Sequence, residues 1–590
     1  MTEEKKTILQ ELYKMLMKNP NDNKITETIK RHRKFSEKVQ GFAEDPNKKG
    51  KEKFYEDLVY AQRNGVAGLG QAITQCPRDK RLSFSELEKV FSGLLVKGKL
   101  DSQTYEEFKT AFDKANEGKG NKNKQPTIYN RVVAAIFPAT VMPIPSEDRF
   151  DDVYSWMLEN GFLEPDDIAT DAVIADKNWY EKNKDVMDAF GKAFDDGFKN
   201  AIKNEGLPAV DEYAIGTFSW RLRDFICATD APSNLVKYGA PGTGKTFTIK
   251  SEAELRFLGW RLKFGSRSGL EFEDTYGFVQ FHPSYGYEEF IEGLKPSREN
   301  PNLLSLQEGN FKAFCREAGK WECDLAELGI KGDTPLSDLV SDAKWSAMWG
   351  KLQDKMQSRG NHWAILDKEK IIKAKDRGLS IADVLPPFTF VIDEINRAEL
   401  SRVFGELMFC LEYRGWEKAI RTQYARLDDK PLLREKDDAK FFIPRNVYIV
   451  GTMNTIDKSV ESFDYALRRR FVWKEVEPDP DVVVGYLRDE LKFNDITVEE
   501  ILDRINNLNE KISGEQLLGP DYRIGHAYFM KARPSFYQAI KREKKKKYLK
   551  EIWGKYIRHL LFEYLRGTGQ EKKVGRQKCL MDEFEDVFLP

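Results

Sequence analysis

Cysteine and histidine are scarce in this chain of 590 residues, which contains six cysteines and five histidines. The cysteines form no CxxC pair and the histidines are scattered, so the sequence gives no indication of a structural zinc site. Isolated cysteines in a large chain are typical of reduced, buried side chains. We therefore expect a cytoplasmic protein without a disulfide framework.

Long apolar runs are missing as well. The longest mostly apolar stretch, residues 132–144, contains two prolines and is shorter than the ~20 residues that span a bilayer. The first ten residues lack the apolar core of a signal peptide, so we expect no membrane partner. The net charge of −1 excludes a globally basic protein, although residues 1–100 contain 21 lysines and arginines against 14 acidic residues. That local excess suits either a DNA-facing surface or ordinary solvated helices.

Short apolar runs and helical stretches alternate in the middle of the chain. The runs cover residues 235–238, 278–281, 388–392 and 447–450. This alternation is typical of an α/β domain with a mostly parallel sheet. The flanking regions show helical periodicity. The predicted regions are a helical N-terminal domain at 1–116, a second helical unit at 127–228, an α/β core at 229–475 and a helical C-terminal region at 476–590.

A phosphate-binding loop follows the first apolar run. It matches GxxxxGK[ST] at every fixed position and precedes a helical stretch, a context that favours a true phosphate loop over a chance glycine-rich turn. Its residues are Gly239, Ala240, Pro241, Gly242, Thr243, Gly244, Lys245 and Thr246. Glycines let the backbone present N–H groups to phosphate oxygens at a helix N-terminus. Lys245 would reach the terminal phosphates, and the Thr246 hydroxyl would ligate Mg²⁺.

Two adjacent acids end the run at 388–392. Asp393 is placed to bind Mg²⁺, and Glu394 to polarise the attacking water as a general base. Two acids at a strand end also occur in helix-capping turns, but a preceding phosphate loop favours the catalytic interpretation. The two motifs together predict hydrolysis of a nucleoside triphosphate.

Polar residues after the last apolar run complete the predicted site. Asn454 suits a sensor of the γ-phosphate. Three consecutive arginines at 468–470 would stabilise the transferred phosphoryl group if a neighbouring subunit supplied them, an effect worth about 10³–10⁵ in rate. A solvated basic patch is the alternative, and the sequence leaves open which arginine would act. Another basic run, at 541–547, suits either phosphate contacts or plain solvation.

Together these motifs resemble those of McrB-like AAA+ proteins, the motor subunits of McrBC-type restriction systems. The resemblance covers residues 230–565 and rests on four phrases: FHPSYGYEEFIEGLKP, DEINRAELSRVFGEL, MNTIDKS and LLGPDYRIGHAYF. Generic AAA+ ATPases lack the first and the third phrase. In the third, Lys458 stands where the family has arginine, so any contact made there would differ.

The resemblance implies a AAA+ core with a C-terminal helical lid, assembled as a hexameric ring with nucleotide between subunits. It also implies that Asp464, Arg469 and Arg470 act on the neighbour's nucleotide. McrB-like proteins hydrolyse GTP and translocate DNA while a separate McrC-like nuclease cuts, so DNA and such a nuclease are the implied partners. The choice between GTP and ATP stays open, because AAA+ proteins more often use ATP. A MoxR-like chaperone that remodels a protein partner is the alternative function.

Two regions have open roles. Lys245 and Asp393 are unusually far apart for a AAA+ core, and we interpret residues 320–379 as a helical insertion, with decoration of the ring surface as the alternative to a function. In the N-terminal region, aromatic residues suit either a pocket for a modified base or an ordinary core. They are Tyr55, Tyr60, Phe84, Phe91, Tyr105, Phe108 and Phe112.

Overall fold

The computed structural model describes residues 1–17, 23–44, 55, 58–59, 81–97, 100–119, 126–144, 146–163, 177–203, 205, 207–229, 231–265, 269–297, 302–339, 362–375, 378–435, 438–456, 465–539, 543–571 and 578–589. The chain divides into two compact units. Within the described ranges, no helix is both long enough and apolar enough to cross a membrane.

The first unit comprises Met1–Cys227, Asp479–Asp503 and Arg533–Lys545. Its N-terminal part is helical in the described residues. The helices are α1 (Glu3–Met17), α2 (Asn23–Glu44), α3 (Phe84–Lys97), α4 (Ser102–Gly118), α5 (Pro126–Ile136), α6 (Glu147–Glu159), α7 (Trp179–Ala193), α8 (Asp196–Lys203) and α9 (Glu212–Thr229).

Aromatic side chains fill the interior of this helical part. Phe91, Tyr105 and Phe112 are fully buried, and the Tyr105 hydroxyl donates to Asn130 Oδ1 at 2.8 Å. Such burial removes apolar area from water and is the main favourable contribution to folding. For these three side chains the structure therefore supports packing, the second of the two roles considered above.

The second unit comprises Ala228–Pro478, Arg504–Ala532 and Lys546–Pro590. Its strands are β1 (Asn234–Gly239), β2 (Tyr276–Gln280), β3 (Glu292–Pro296), β4 (Leu304–Glu308), β5 (Phe388–Asp393), β6 (Leu433–Glu435), β7 (Asp438–Lys440), β8 (Val447–Asn454) and β9 (Val472–Glu475). A five-stranded sheet has the order β2-β5-β8-β1-β9, and its neighbouring strands are parallel. The pairs β3–β4 and β6–β7 are antiparallel.

Helices alternate with these strands along the chain and continue to the C-terminus. Between β1 and β9 they are α10 (Lys245–Lys263), α11 (Tyr287–Phe290), α12 (Asn310–Ala318), α13 (Lys320–Glu327), α14 (Leu336–Leu339), α15 (Lys368–Lys373), α16 (Leu400–Phe404), α17 (Met408–Glu412) and α18 (Tyr465–Arg468). After β9 they are α19 (Pro480–Gly485), α20 (Asp495–Gly514), α21 (His526–Phe529), α22 (Pro534–Ala539), α23 (Lys544–Ile552), α24 (Arg558–Leu565) and α25 (Leu580–Phe588).

The parallel sheet confirms the α/β fold class. Each of the four apolar runs forms a strand, namely β1, β2, β5 and β8. The register sets Gly239 beside Asn454 and Gln280 beside Asp393, so the carboxyl ends of four neighbouring strands meet at one edge. Strand β9 was not predicted, because its residues Val472–Glu475 are mostly exposed and give no apolar run.

The described part of residues 320–379 packs into the core of the second unit. Trp321, Leu325 and Trp363 belong to the same buried apolar cluster as Phe388 and Phe390 of β5. These side chains are therefore part of the core rather than a surface attachment.

A buried carboxylate anchors the same region. Glu322 accepts the backbone N–H groups of Trp416 at 3.2 Å and Arg445 at 2.5 Å. Burial raises the pKa of Glu322 to about 7.

Candidate nucleotide-binding site

The phosphate loop connects β1 to α10. Gly242 and Gly244 have φ angles of 77° and 75°, which glycine adopts without the steric strain that a Cβ would bring. Helix α10 begins at Lys245, whose Nζ donates to the carbonyl oxygens of Gly239 at 3.0 Å and Ala240 at 2.8 Å. Burial lowers the pKa of Lys245 to about 8. The lysine thus lies inside the loop where a phosphate would need its charge.

The last residues of the motif LLGPDYRIGHAYF pack over the phosphate loop. The Gly525 N–H donates to the Pro241 carbonyl at 3.2 Å, and the Ala527 N–H donates to the Gly242 carbonyl at 2.9 Å. A Cβ at Gly242 would approach the Tyr528 ring to 2.8 Å. The loop and the C-terminal helical segment therefore pack backbone against backbone.

Asp393 and Thr246 come together at the end of β5. The Thr246 hydroxyl donates to Asp393 Oδ1 at 2.6 Å, and Gln280 Nε2 donates to Asp393 Oδ2 at 3.3 Å. The two groups that the sequence predicts as Mg²⁺ ligands, the Thr246 hydroxyl and the Asp393 carboxylate, are thus in direct contact. Both offer oxygen atoms, which this ion prefers as ligands.

Glu394 lies directly beside Asn454. Asn454 Nδ2 donates to Glu394 Oε1 at 2.6 Å, while Arg397 Nε donates to Glu394 Oε2 at 3.4 Å. Glu394 has left-handed backbone angles, φ 54° and ψ 47°, which are strained for a residue other than glycine and recur at functional sites. The proposed base and the proposed sensor are thus in direct contact.

Two residues that sequence reasoning missed contact the acid pair. Gln280 ends β2, and Thr452 lies two residues before Asn454 on β8. Thr452 is almost fully buried and its hydroxyl bonds to both acids. The signal was present, because parallel pairing sets the residues at adjacent strand ends side by side. Threonine within a strand, however, is also an ordinary β-former.

The arginines lie at the opposite end of the sheet. Leu235 of β1 pairs with Val472 of β9, so residues 468–470 precede the amino end of a strand parallel to β1. Asn234 Nδ2 donates to the carbonyl oxygens of Arg470 at 2.9 Å and Leu411 at 3.0 Å. From Asn234 to Gly239 the strand extends about 16 Å, since a strand rises about 3.3 Å per residue.

The three arginines differ in exposure and contacts. The Arg469 side chain is 68% exposed and approaches Glu412 at 4.0 Å, whereas the Arg470 side chain is 11% exposed and pairs with Glu412 at 3.3 Å. The Arg468 guanidinium lies 5.2 Å from the centroid of the Trp473 ring. Arg469 is therefore the most accessible of the arginine pair named in the sequence. Asp464 and Lys458 lie outside the described residues.

The segment with the motif FHPSYGYEEFIEGLKP packs beside the site and does not form it. Phe281 N–H donates to the Asp393 carbonyl at 2.9 Å, and the Tyr287 hydroxyl donates to Glu406 at 2.7 Å. Burial, followed by the bond to Glu406, raises the pKa of Tyr287. These contacts hold the segment after β2 against the helices that follow the acid pair.

A buried ion-pair cluster fixes the end of the same phrase. Lys312 pairs with Glu292 and, at 2.6 Å, with Asp428. All three side chains are at most 8% exposed, so removal of one partner would leave an uncompensated buried charge.

The described part of the basic run is engaged locally. Lys544 Nζ donates to the Leu491 carbonyl at 2.5 Å, and Lys545 pairs with Glu500. Residues 541 and 542 lie outside the described ranges. These two lysines are partnered within the chain, whereas Lys546 and Lys547 are exposed, so both interpretations of the basic run stay predictions.

Two family models match regions that contribute to this site, at residues 351–471 and 500–573. A model described as "AAA domain (dynein-related subfamily)" matches residues 351–471, which include the acid pair, Asn454 and the arginines. A model described as "McrB, alpha-helical lid domain" matches residues 500–573, which include the segment packed on the phosphate loop. In these two regions the chain is similar to McrB-type AAA+ proteins.

Two curated relatives extend the comparison. The chain is 31% identical over 301 residues to the type IV methyl-directed restriction enzyme EcoKMcrB subunit of Escherichia coli (strain K12), and the aligned region covers 50% of the chain and 47% of that protein. It is 26% identical over 342 residues to the type II restriction enzyme BsuMI component YdiS of Bacillus subtilis (strain 168), which covers 56% of the chain and 82% of that protein. The chain thus spans about half the length of the Escherichia coli relative.

Proposed function

We propose that this McrB-like NTPase hydrolyses GTP or ATP between adjacent copies of itself. In this proposal hydrolysis drives DNA translocation in a restriction complex that contains a separate McrC-like nuclease subunit. One observation carries the first part. The residues suited to hold a triphosphate and the arginines suited to stabilise its transition state lie at opposite ends of β1, about 16 Å apart along the strand. That distance exceeds the reach of an arginine side chain, so one copy would not complete its own site.

Within one subunit, each role follows from the chemistry of the side chain. The loop backbone and Lys245 would bind the phosphates, with the lysine exchanging the carbonyls of Gly239 and Ala240 for phosphate oxygens. Glu394 would accept a proton from the attacking water, and Asn454 would orient that carboxylate through the 2.6 Å bond.

Mg²⁺ fits the oxygen donors at the end of β5. Asp393 and the Thr246 hydroxyl would hold it, since Asp393 Oδ1 and Thr246 Oγ1 already lie 2.6 Å apart. When bound, the ion would neutralise charge on the terminal phosphates.

The neighbouring copy would supply the arginine that stabilises the transition state of hydrolysis. Arg469 is the most exposed of the two named arginines, and a guanidinium placed on the transferred phosphoryl group stabilises the charge that develops there. Repetition of this head-to-tail contact closes a ring, for which we expect six copies. By the family resemblance, Arg470 and Asp464 would act on the same nucleotide.

The restriction role rests on the relatives, both of which are named as components of restriction enzymes. DNA and a McrC-like nuclease are therefore the partners to test first. GTP and ATP must both be tried, because the residues of the site that we assign contact phosphates and not the base.

The central experiment measures nucleotide binding and turnover of the full chain with Mg²⁺ and either nucleotide. Glu394→Gln should keep binding and lose turnover by about 10²–10⁴, the usual contribution of a general base. Lys245→Ala should weaken binding itself. Glu399→Gln, an exposed acid five residues further on, is the matched control and should behave as the unmodified protein. Unimpaired turnover in Glu394→Gln would overturn the assignment of the base.

Addition of DNA tests the second part of the proposal. Turnover that rises with DNA, and whose DNA dependence weakens with salt, supports a DNA-directed motor. Turnover that is indifferent to DNA but coupled to remodelling of a protein would favour the MoxR-like chaperone.

A further inference from the structure

A single hydroxyl links the two acids of the site. Thr452 Oγ1 lies 2.6 Å from Asp393 Oδ1 and 3.1 Å from the Glu394 backbone nitrogen. The directions of these bonds are fixed by chemistry. A carboxylate only accepts and a backbone N–H only donates, so the Thr452 hydroxyl gives its proton to Asp393 and accepts that of Glu394.

The bond to Glu394 stabilises an unfavourable backbone conformation. Glu394 has a φ of 54°, and such an angle persists in a non-glycine residue only when the surroundings determine it. The conformation sets where the Glu394 side chain leaves the chain. The Thr452 oxygen therefore helps to direct this carboxylate toward Asn454.

The bond to Asp393 is suited to be permanent. Thr246 also donates to Asp393 Oδ1, but our proposed function assigns its hydroxyl to Mg²⁺. Gln280 reaches only the other oxygen, at 3.3 Å. Thr452 is 2% exposed within strand β8, and neither of its bonds must break for substrate to bind. It can thus orient Asp393 in every state of the site.

We propose that Thr452 is a positioning residue that fixes the metal-holding carboxylate and the catalytic base relative to each other. This inference rests on the proposed function, because it takes the roles of Asp393 and Glu394 from it. Groups that orient metal ligands through hydrogen bonds typically contribute 10–100-fold to metal affinity or activity.

The test compares substitutions that separate the hydroxyl from the shape of the side chain. Thr452→Val keeps the branched shape preferred in a strand and removes the hydroxyl, whereas Thr452→Ser keeps the hydroxyl. The matched control is Thr389→Val in β5. Thr389 is also 2% exposed, but its hydroxyl oxygen accepts from Arg256 Nη1 at 3.0 Å, away from the site.

Four quantities are measured for each full-length variant: turnover per folded protein, nucleotide affinity without Mg²⁺, the Mg²⁺ concentration at half-maximal nucleotide binding, and the melting temperature. For Thr452→Val we expect turnover to fall and the Mg²⁺ requirement to rise, each by about 10–100-fold. Affinity without Mg²⁺ should stay unchanged. Thr452→Ser should restore most of both losses. Thr389→Val should lower only the melting temperature.

Three outcomes would overturn the inference: unchanged turnover and Mg²⁺ requirement in Thr452→Val, an equal loss in Thr452→Ser, or the same kinetic loss in Thr389→Val. Absence of turnover in the unmodified protein would instead overturn the proposed function. The role of Thr452 would then be decided by the Mg²⁺ dependence of nucleotide binding alone.

Discussion

At the carboxyl end of β1, the groups assigned to the triphosphate already bond to one another. Lys245 donates to its own loop, Thr246 to Asp393, and Asn454 to Glu394. At the amino end, Arg469 reaches into solvent while Arg470 is largely buried, and both approach the partly exposed carboxylate of Glu412. The first end is arranged before substrate arrives, and the second is held by a contact that is easily exchanged.

The difference matters because the two kinds of contact have different energies. Partly exposed ion pairs contribute about 0–1 kcal/mol, whereas buried polar groups are expensive to leave without a partner. Preorganised groups stabilise a transition state without rearranging during the reaction. The phosphate end therefore suits binding and orientation, and the arginine end suits a response to a second copy.

Arg469→Ala tests the proposed role of the arginine end most directly. We expect turnover to fall by about 10³ or more with nucleotide affinity unchanged, because in the proposed function Arg469 acts only on the neighbour's phosphoryl transfer.

Mixing two inactive variants provides the control for that prediction. Lys245→Ala subunits retain Arg469, and Arg469→Ala subunits retain the phosphate loop, so a mixture should regain turnover at the sites between unlike copies. A double variant mixed with Arg469→Ala should stay inactive. Failure of the first mixture to recover would refute action between subunits.

Gly525→Ala tests the closed packing at the phosphate end. A Cβ there would collide with the backbone of Pro241 and Gly242. Such overpacking costs about 1–3 kcal/mol, which corresponds to a roughly 5- to 150-fold loss of nucleotide affinity. Binding titrations should show this loss, while Gly514→Ala, where a Cβ would have no atom within 4 Å, should bind normally. Equal affinities for both variants would show that the lid packing is irrelevant to binding.

Asn234→Ala removes a hydrogen bond that holds the backbone of the arginine segment. It removes two donors to the carbonyls of Leu411 and Arg470 and an acceptor for Arg414. We expect a loss of about 1–3 kcal/mol in unfolding free energy, together with lower turnover at unchanged nucleotide affinity.

Asn446→Ala is the comparison for that variant. Asn446 Nδ2 bonds to the carbonyls of Ala318 and Pro386, and not to the backbone of the arginine segment. It should lose similar stability in denaturant titrations but keep its turnover per folded protein. If both variants lost turnover equally, the effect of Asn234 would be general destabilisation.

Glu412→Gln should have the smallest effect. It removes the charge that holds Arg469 and Arg470, a contribution of about 0–1 kcal/mol. The protein concentration at half-maximal turnover should therefore fall by no more than about fivefold. The difference from the unmodified protein should vanish at about 1 M salt, where exposed charges are screened. A larger shift, or one that persists in high salt, would mean that Glu412 does more than hold the arginines.

Sequence reasoning found the side chains that end an apolar run and missed those that depend on tertiary register. Glu394 follows β5, Asn454 ends β8 and Lys245 ends the loop after β1, so parallel pairing is enough to bring them together. Thr452 and Asn234 lie inside or at the start of strands, where their residue types carry no functional signal. Their importance appears only when β1, β5 and β8 are placed side by side.

The arginines illustrate the same limit at finer scale. Three identical residues in a row cannot be distinguished by type or spacing. In the structure, Arg469 and Arg470 differ in side-chain exposure, and Arg468 differs from both because its guanidinium lies over the Trp473 ring. The strand β9 that follows them has too few buried residues to give an apolar run, so the position of this segment was also hidden.

Strand β1 has a mechanical consequence for an assembly of identical copies. Its last residue belongs to the loop that would hold a subunit's own triphosphate, and the side chain of its first residue holds the backbone of Arg470. A strand paired on both sides transmits displacement along its length with little bending. In the proposed ring, nucleotide binding, hydrolysis or release in one subunit would therefore shift the guanidinium that this subunit presents to its neighbour. Successive sites would then be coupled through a strand of six residues.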